Sequence, residues 1–214
     1  MSLTRDDIVR EALELFKADG LDALSLRKLA ARLNVSAPTL YWHVANKREL
    51  LDLVATELVR TQVLLDAPDP GQPWWEWLRV RTTQMFHNLV EIRDAPRVLA
   101  GNRPSLDDLA RLDSTLKVLI DAGIPAGDAQ QIYFSIGSYV VGSVVEWQAE
   151  ADRAREGVGT DPQVVAALRD RKHPNIAAAM NSIAGLPHHA AFDFGLNLLI
   201  DGLRSRYVSD IHQS

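Results

Sequence analysis

A chain of 214 residues with 47% hydrophobic and 24% charged residues is too apolar to stay unfolded, and is long enough for one large domain or two smaller ones. The absence of cysteine excludes a disulfide framework, thiolate metal sites and a cysteine nucleophile. The longest nearly apolar stretch, Tyr139 to Val145, is far below the roughly 20 residues a bilayer span needs. Met1 to Arg10 are polar and acidic, without a secretory pattern, so a cytoplasmic protein is expected. The net charge of −5 is unevenly spread. Residues 1–62 hold nine basic and nine acidic residues, so the whole excess lies beyond them. From Arg27 through Arg48 there are five cations (Arg27, Lys28, Arg32, Lys47 and Arg48) and no acid, which suits a polyanionic partner for that segment.

The amino-terminal sixty residues divide into four predicted helices. Thr4 with Asp7 is a variant of the capping box. Ile8, Ala12, Leu15 and Phe16 then recur at helical spacing, and Gly20 supplies a left-handed stop. Ser25 opens a second helix with Leu26, Leu29, Ala30 and Leu33 on one side. Arg27, Lys28 and Arg32 lie off that stripe, open to solvent or phosphate. After a turn at Asn34-Val35, Ser36 caps a third helix, residues 37–43, with Pro38 in its first turn, where a missing N–H is harmless. Asn46 with Glu49 starts a fourth, residues 46–62. Two short helices joined by a tight turn, packed on a preceding helix, make a helix-turn-helix unit.

The third helix carries the functional argument. Thr39, Tyr41, Trp42 and His43 crowd polar groups onto about seven residues, while Leu40 and Val44 can anchor its inner side. Burying such a helix would cost ~1–3 kcal/mol for each unpaired polar group. In a major groove the same groups meet base edges, thymine methyls and phosphate oxygens. The alternative is an aromatic core helix with a basic rim.

The run from Ser25 to Leu51, SLRKLAARLNVSAPTLYWHVANKRELL, resembles the DNA-binding signature of the tetracycline-repressor (TetR) family. The resemblance implies that Arg27 reads a guanine, a bidentate task for which lysine is poorly shaped. It implies recognition-helix contacts for Ala37, Pro38 and Thr39, phosphate contacts for Tyr41 and Lys47, and a place at the DNA face for Trp42 and His43. Lys28 and the cap Ser36 complete the expected DNA-binding set. Tetracycline repressors carry glutamine where this chain has Ala37. Losing one bidentate amide–base contact removes ~1–3 kcal/mol of discrimination at that base pair, so a different operator is expected.

The Pro- and Gly-rich run from Leu65 to Trp74 reads as a loop between a DNA-binding domain, residues 1–62, and a body, residues 63–214. The body shows only helical patterns: about 74–93, a helix after Ser105 ending at Gly123, one from Pro125 to about Arg155, two short pieces, and a last helix over about 189–208. The expected fold is all-α, a helix-turn-helix domain followed by a helical bundle. Ile132, Ile136, Val140 and Val144 line one side of the long helix, and Phe192, Leu196, Leu199 and Leu203 line the last. Family members dimerise by pairing these two helices with their symmetry mates, so these stripes are expected at a homodimer interface.

The resemblance continues more loosely through Arg93-Asp94, Gly101-Asn102-Arg103-Pro104 and Gly142 to Glu146. It implies a small-molecule effector pocket walled by Val63, Met85, Leu99, Leu112 and Tyr133, with Arg81, Arg103, Thr115, Ser138 and Glu146 as polar fixtures. Leu99 stands where tetracycline repressors use a histidine toward drug-bound magnesium. A hard cation takes nothing from a leucine, so a different organic ligand, with no metal and no cofactor, is expected. Metalloprotease histidine spacings, phosphate loops and Gly-x-Ser-x-Gly are absent from the sequence, so no enzyme is expected. The expected function is a ligand-responsive, homodimeric repressor of double-stranded operator DNA. The alternative is a helical protein-binding adaptor, or a ligand-binding protein without sequence-specific DNA binding.

Overall fold

The computed structural model describes residues 3–62, 67–101, 106–169 and 173–208, and these contain helices and no strand. The amino-terminal unit comprises α1 (Arg5–Asp19), α2 (Leu26–Arg32), α3 (Ala37–Tyr41) and α4 (Lys47–Gln62). Local chemistry sets their ends. Thr4 and Asp7 form a reciprocal capping box, Ser25 accepts the Lys28 N–H, and Ser36 accepts the Thr39 N–H. Gly20 ends α1 at φ 80°, ψ 178°, so it supplies the positive φ but not the left-handed α conformation expected. Helix α3 stops two residues early, with Trp42 as its C-cap. Asn34, at φ 53°, makes the turn between α2 and α3, a conformation asparagine tolerates better than most residues.

The body follows with α5 (Trp74–Val90), α6 (Ala95–Leu99), α7 (Leu106–Asp121), α8 (Ala126–Arg155), α9 (Pro162–Arg169), α10 (Pro174–Ile183) and α11 (Ala190–Val208). Helix α6 has no counterpart in the sequence reading, and the Ser105 cap of α7 lies outside the described residues. Helix α5 packs on α8 and α11, and α7 packs on α8. Phe86 is sealed between them, stacked on Phe192 at 3.9 Å between centroids and edge-on to Trp147. Tyr139 lies along Phe192 and donates its hydroxyl to the Phe192 carbonyl at 2.7 Å. Its ring sits so close over Gly195 that any Cβ there would collide with it. The Gln148 amide donates to the carbonyls of Val90 and Ile92, at 3.3 and 2.9 Å, just where α5 has run out of its own donors.

This packing limits what part of the expected interface can offer. Val140 and Val144 have no exposed surface within one chain, and Ile132, Ile136, Phe192 and Leu196 are each less than one-tenth exposed. Val140, Val144, Phe192 and Leu196 belong to the subunit's own core and have little area to offer a second copy, whereas Ile132, Ile136, Leu199 and Leu203 border an open groove between α8 and α11. Leu199 and Leu203 are half-buried. The large apolar residues left in the open on these helices are Tyr133, Phe134, Val145, Phe194 and Leu198, the last two at 68% and 60% exposure. No described helix is long and apolar enough to cross a membrane.

Candidate nucleic-acid interface and effector site

Helix α3 is built with one side sealed and the other open. Leu40 and Val44 are fully buried, and Ser36 fixes the first turn by pairing its hydroxyl with that of Thr39 at 2.7 Å. From this anchored base Tyr41 and Trp42 project outward, 53% and 88% exposed. Ser36, Ala37, Pro38 and Thr39 are also exposed, and His43 is half-buried. An indole left in water forgoes about 2 kcal/mol or more of burial, so its exposure needs a reason outside the monomer. Glu49 braces the residues after the helix, accepting the Ala45 N–H at 2.8 Å and pairing with Arg5 of α1 at 2.9 Å.

The cations divide into three groups. Arg27 and Lys47 are exposed, on either side of α3 in sequence. Lys28 is paired with Asp19 at 2.6 Å and Arg32 with Glu11, both acids of α1. The Lys28 ammonium holds the Asp19 carboxyl below its usual range. Such exposed pairs are worth at most about 1 kcal/mol, so phosphate can compete for either cation. Arg48 faces the body instead, donating to the Gly101 carbonyl at 2.6 Å and pairing with Asp52.

The expected effector residues are brought together only in part. Val63 and Arg103 lie outside the described residues. Thr115 is buried, donating to the Arg111 carbonyl at 3.1 Å, while Arg81, Met85, Leu99 and Leu112 are half-buried. Tyr133 is exposed along one side of α8, and the partial burial of its ring, reinforced by Asp108 and opposed by Arg111, pushes the phenol up. Ser138 is exposed and stands about 140° around α8 from Tyr133, so the two cannot line one pocket from that helix. Glu146 is exposed as well. A groove of about 540 Å³ opens between α8 and α11, but its walls include Ile132, Ile136, Leu199 and Leu203 and none of the ten expected ligand residues. No group of three or more potential metal-ligating side chains occurs among the described residues.

Sequence reasoning missed the contacts that tie the amino-terminal unit to the body. Thr56 of α4 donates to Asp108 of α7 at 2.8 Å, and Arg111 donates to the carbonyls of Val59 and Arg60 at the end of α4. Asp94, ahead of α6, accepts the Leu21 N–H at 3.1 Å. Burial opposes its charge, but Leu21 and Arg97 outweigh this and hold the carboxyl below the usual range. The partners are 50 or more residues apart in sequence, where no spacing rule reaches.

Residues 8–54 match the family described as bacterial regulatory proteins, tetR family, and residues 67–207 match the tetracyclin repressor-like C-terminal domain. The chain is 35% identical over 204 residues to the tetracycline repressor protein class A from transposon 1721 of Escherichia coli, covering 95% of this chain and 92% of that one. Among solved structures it is similar to the Streptomyces coelicolor protein ActR in complex with actinorhodin, with TM-score 0.83, 29% identity and 96% and 97% of the two chains covered. A variant TetR from Acinetobacter baumannii AYE in complex with minocycline gives TM-score 0.74 and 29% identity, with 96% and 99% covered. With both halves matched and both laid on the same helical framework, the chain belongs to the TetR family of bacterial regulatory proteins.

Proposed function

We propose that this ligand-responsive, DNA-binding transcriptional repressor works as a cytoplasmic homodimer without enzymatic activity, released from a palindromic operator by a small organic molecule. Residues 1–62 would read DNA, and residues 63–214 would bind the effector and dimerise. The observation that carries the reading is the open face of α3, where Tyr41 and Trp42 stand free above a sealed base of Leu40 and Val44. Each subunit would insert residues 37–43 into a major groove, with Arg27 at a guanine and Lys47, Tyr41 and Lys28 on phosphates. Successive grooves on one face of the duplex set the spacing of the two heads. The exposed Phe134, Val145, Phe194 and Leu198 support dimerisation through the outer sides of α8 and α11.

For the effector, the half-buried Arg81, Met85, Leu99 and Leu112 with the buried Thr115 support a mostly apolar site between α5, α6, α7 and α8. Similar proteins hold actinorhodin and minocycline, which supports an organic ligand of comparable kind. Leu99 argues against a magnesium-bridged one. Binding there would alter the tilt of α4, which packs against α6, and move the heads out of register. Effector and operator must then weaken each other equally, by a coupling of typically ~1–3 kcal/mol. Selecting duplexes from a random library with the full-length protein tests the reading. A selected palindrome bound with steep salt dependence is expected, and failure to enrich any sequence refutes it.

A further inference from the structure

The amino-terminal unit continues into the body through α4, and a second, non-covalent junction lies at the turn after α1. Asp94 is held at φ 60°, a left-handed conformation that few residues besides glycine, asparagine and aspartate adopt. Its side chain is only 16% exposed, and although it stands at the N-cap of α6 it makes no capping bond there. It accepts instead the Leu21 N–H of the DNA-binding unit at 3.1 Å. Gly20, at φ 80°, brings the chain so near that a Cβ would lie 3.0 Å from the Asp94 carboxylate. One turn along α6, Arg97 pairs with Asp94 at 3.0 Å and with Asp22 at 3.3 Å. One carboxylate and one cation therefore grip consecutive residues of the turn. A carboxylate at an N-cap ordinarily satisfies its own helix. Here it is turned away to another part of the chain, from a left-handed backbone position that aspartate can hold.

We propose that Asp94 is a positioning residue for operator reading, fixing the orientation of the DNA-binding unit on the body at a joint separate from α4. The proposal rests on the repressor reading above. Both heads of a dimer must enter their grooves together, and any looseness at the joint has to be frozen on binding, which weakens the specific complex. A mixed-sequence duplex is held through phosphates in many registers, so it tolerates loose heads. Asp94 thus raises the ratio of specific to non-specific affinity without touching DNA.

Two substitutions separate acceptor from backbone. Asp94→Gly keeps the left-handed conformation and removes the acceptor, whereas Asp94→Asn keeps an acceptor and tolerates the same conformation. Full-length wild type and both variants are titrated against the duplex the wild type selects from a random library and against a mixed-sequence duplex, with Leu21 amide exchange measured in parallel. The glycine variant should lose about tenfold in affinity for the selected duplex, with the asparagine variant within about threefold of wild type. Neither should change on the mixed-sequence duplex. Leu21 exchange should be fast only in the glycine variant. Equal affinity of all three for the selected duplex, equal loss on both duplexes, a gain in affinity, or unchanged Leu21 protection would each overturn the proposal. If the wild type selects no duplex while the exchange difference persists, the repressor reading fails, and with it the role in reading, but the joint itself stands.

Discussion

Leu40→Ala and Trp42→Ala alter positions two residues apart on one short helix, and they should separate folding from reading. Leu40 is fully buried under α3, and removing its three outer carbons leaves a cavity in the amino-terminal core, at a cost of about 2–5 kcal/mol. For a chain of this size that corresponds to a fall of roughly 4–20 °C in melting temperature. Trp42, 88% exposed, has little to lose in the folded chain, and its removal should change stability by less than about 0.5 kcal/mol. On DNA the order reverses. If the indole lies against the duplex, each head loses a contact worth about 1–3 kcal/mol, and the dimer loses two. The assay pairs thermal melting with fluorescence anisotropy of a selected duplex, run below the melting range of both variants. Trp42→Ala melting as early as Leu40→Ala, or binding the duplex with wild-type affinity, would refute the assignment of α3 as the reading face.

Arg27→Ala should relax preference at a single base pair, by about 1–3 kcal/mol of discrimination, in a competition between duplexes that differ only there; unchanged preference removes its assigned role. Tyr41→Phe, by contrast, should weaken binding to all duplexes alike, visible as a parallel shift in titrations. Leu198→Glu places a charge on the exposed side of α11 and should shift the protein toward monomer in analytical ultracentrifugation, with helical content intact; an unshifted dimer would move the interface elsewhere. Because the folded Asp94 carboxyl is held below its ordinary value, the stability it adds is fully present above about pH 3.9 and is lost as pH falls through the lower folded value. Urea melts of wild type and Asp94→Asn should therefore differ by a constant amount from neutral pH down to about pH 5 and converge in stronger acid. A gap that widens in acid would contradict the sign.

Local chemistry was the part of this fold most easily read in advance. Thr4, Ser25, Ser36 and Asn46 announce helix starts because a cap and the backbone N–H it accepts lie within three residues of each other. Helix α6 escaped notice because five residues, one of them Pro96, establish no periodicity, and its entry depends on Asp94 adopting a left-handed backbone. The α8 stripe lies at the expected positions, but within one chain Val140 and Val144 are sealed while Ile132 and Ile136 border an open groove. A helix with apolar residues on two faces has two self-consistent readings, and only the docking of α5 decides that Val140 and Val144 go inward while Phe134 and Val145 stay out. For the residues expected to face DNA, the identity of the side chains is enough to expect exposure at Tyr41 and Trp42. It could not show that Lys28 and Arg32 would be neutralised by Asp19 and Glu11, since those acids sit on another helix. The effector residues were gathered by resemblance alone, and the helical turn separates Ser138 from Tyr133 whatever the resemblance says.

Gly195 has no side chain because Tyr139 occupies the space one would need. Even a methyl group there would have to displace the Tyr139 ring, and with it the hydroxyl bond to the Phe192 carbonyl, or push α11 away from α8. Nothing in that change touches a nucleotide, yet in a twofold assembly the error is doubled and levered to the far end of each subunit. In the twofold assembly proposed above, the spacing of the two heads would thus be sensitive to one missing methyl in the middle of the body.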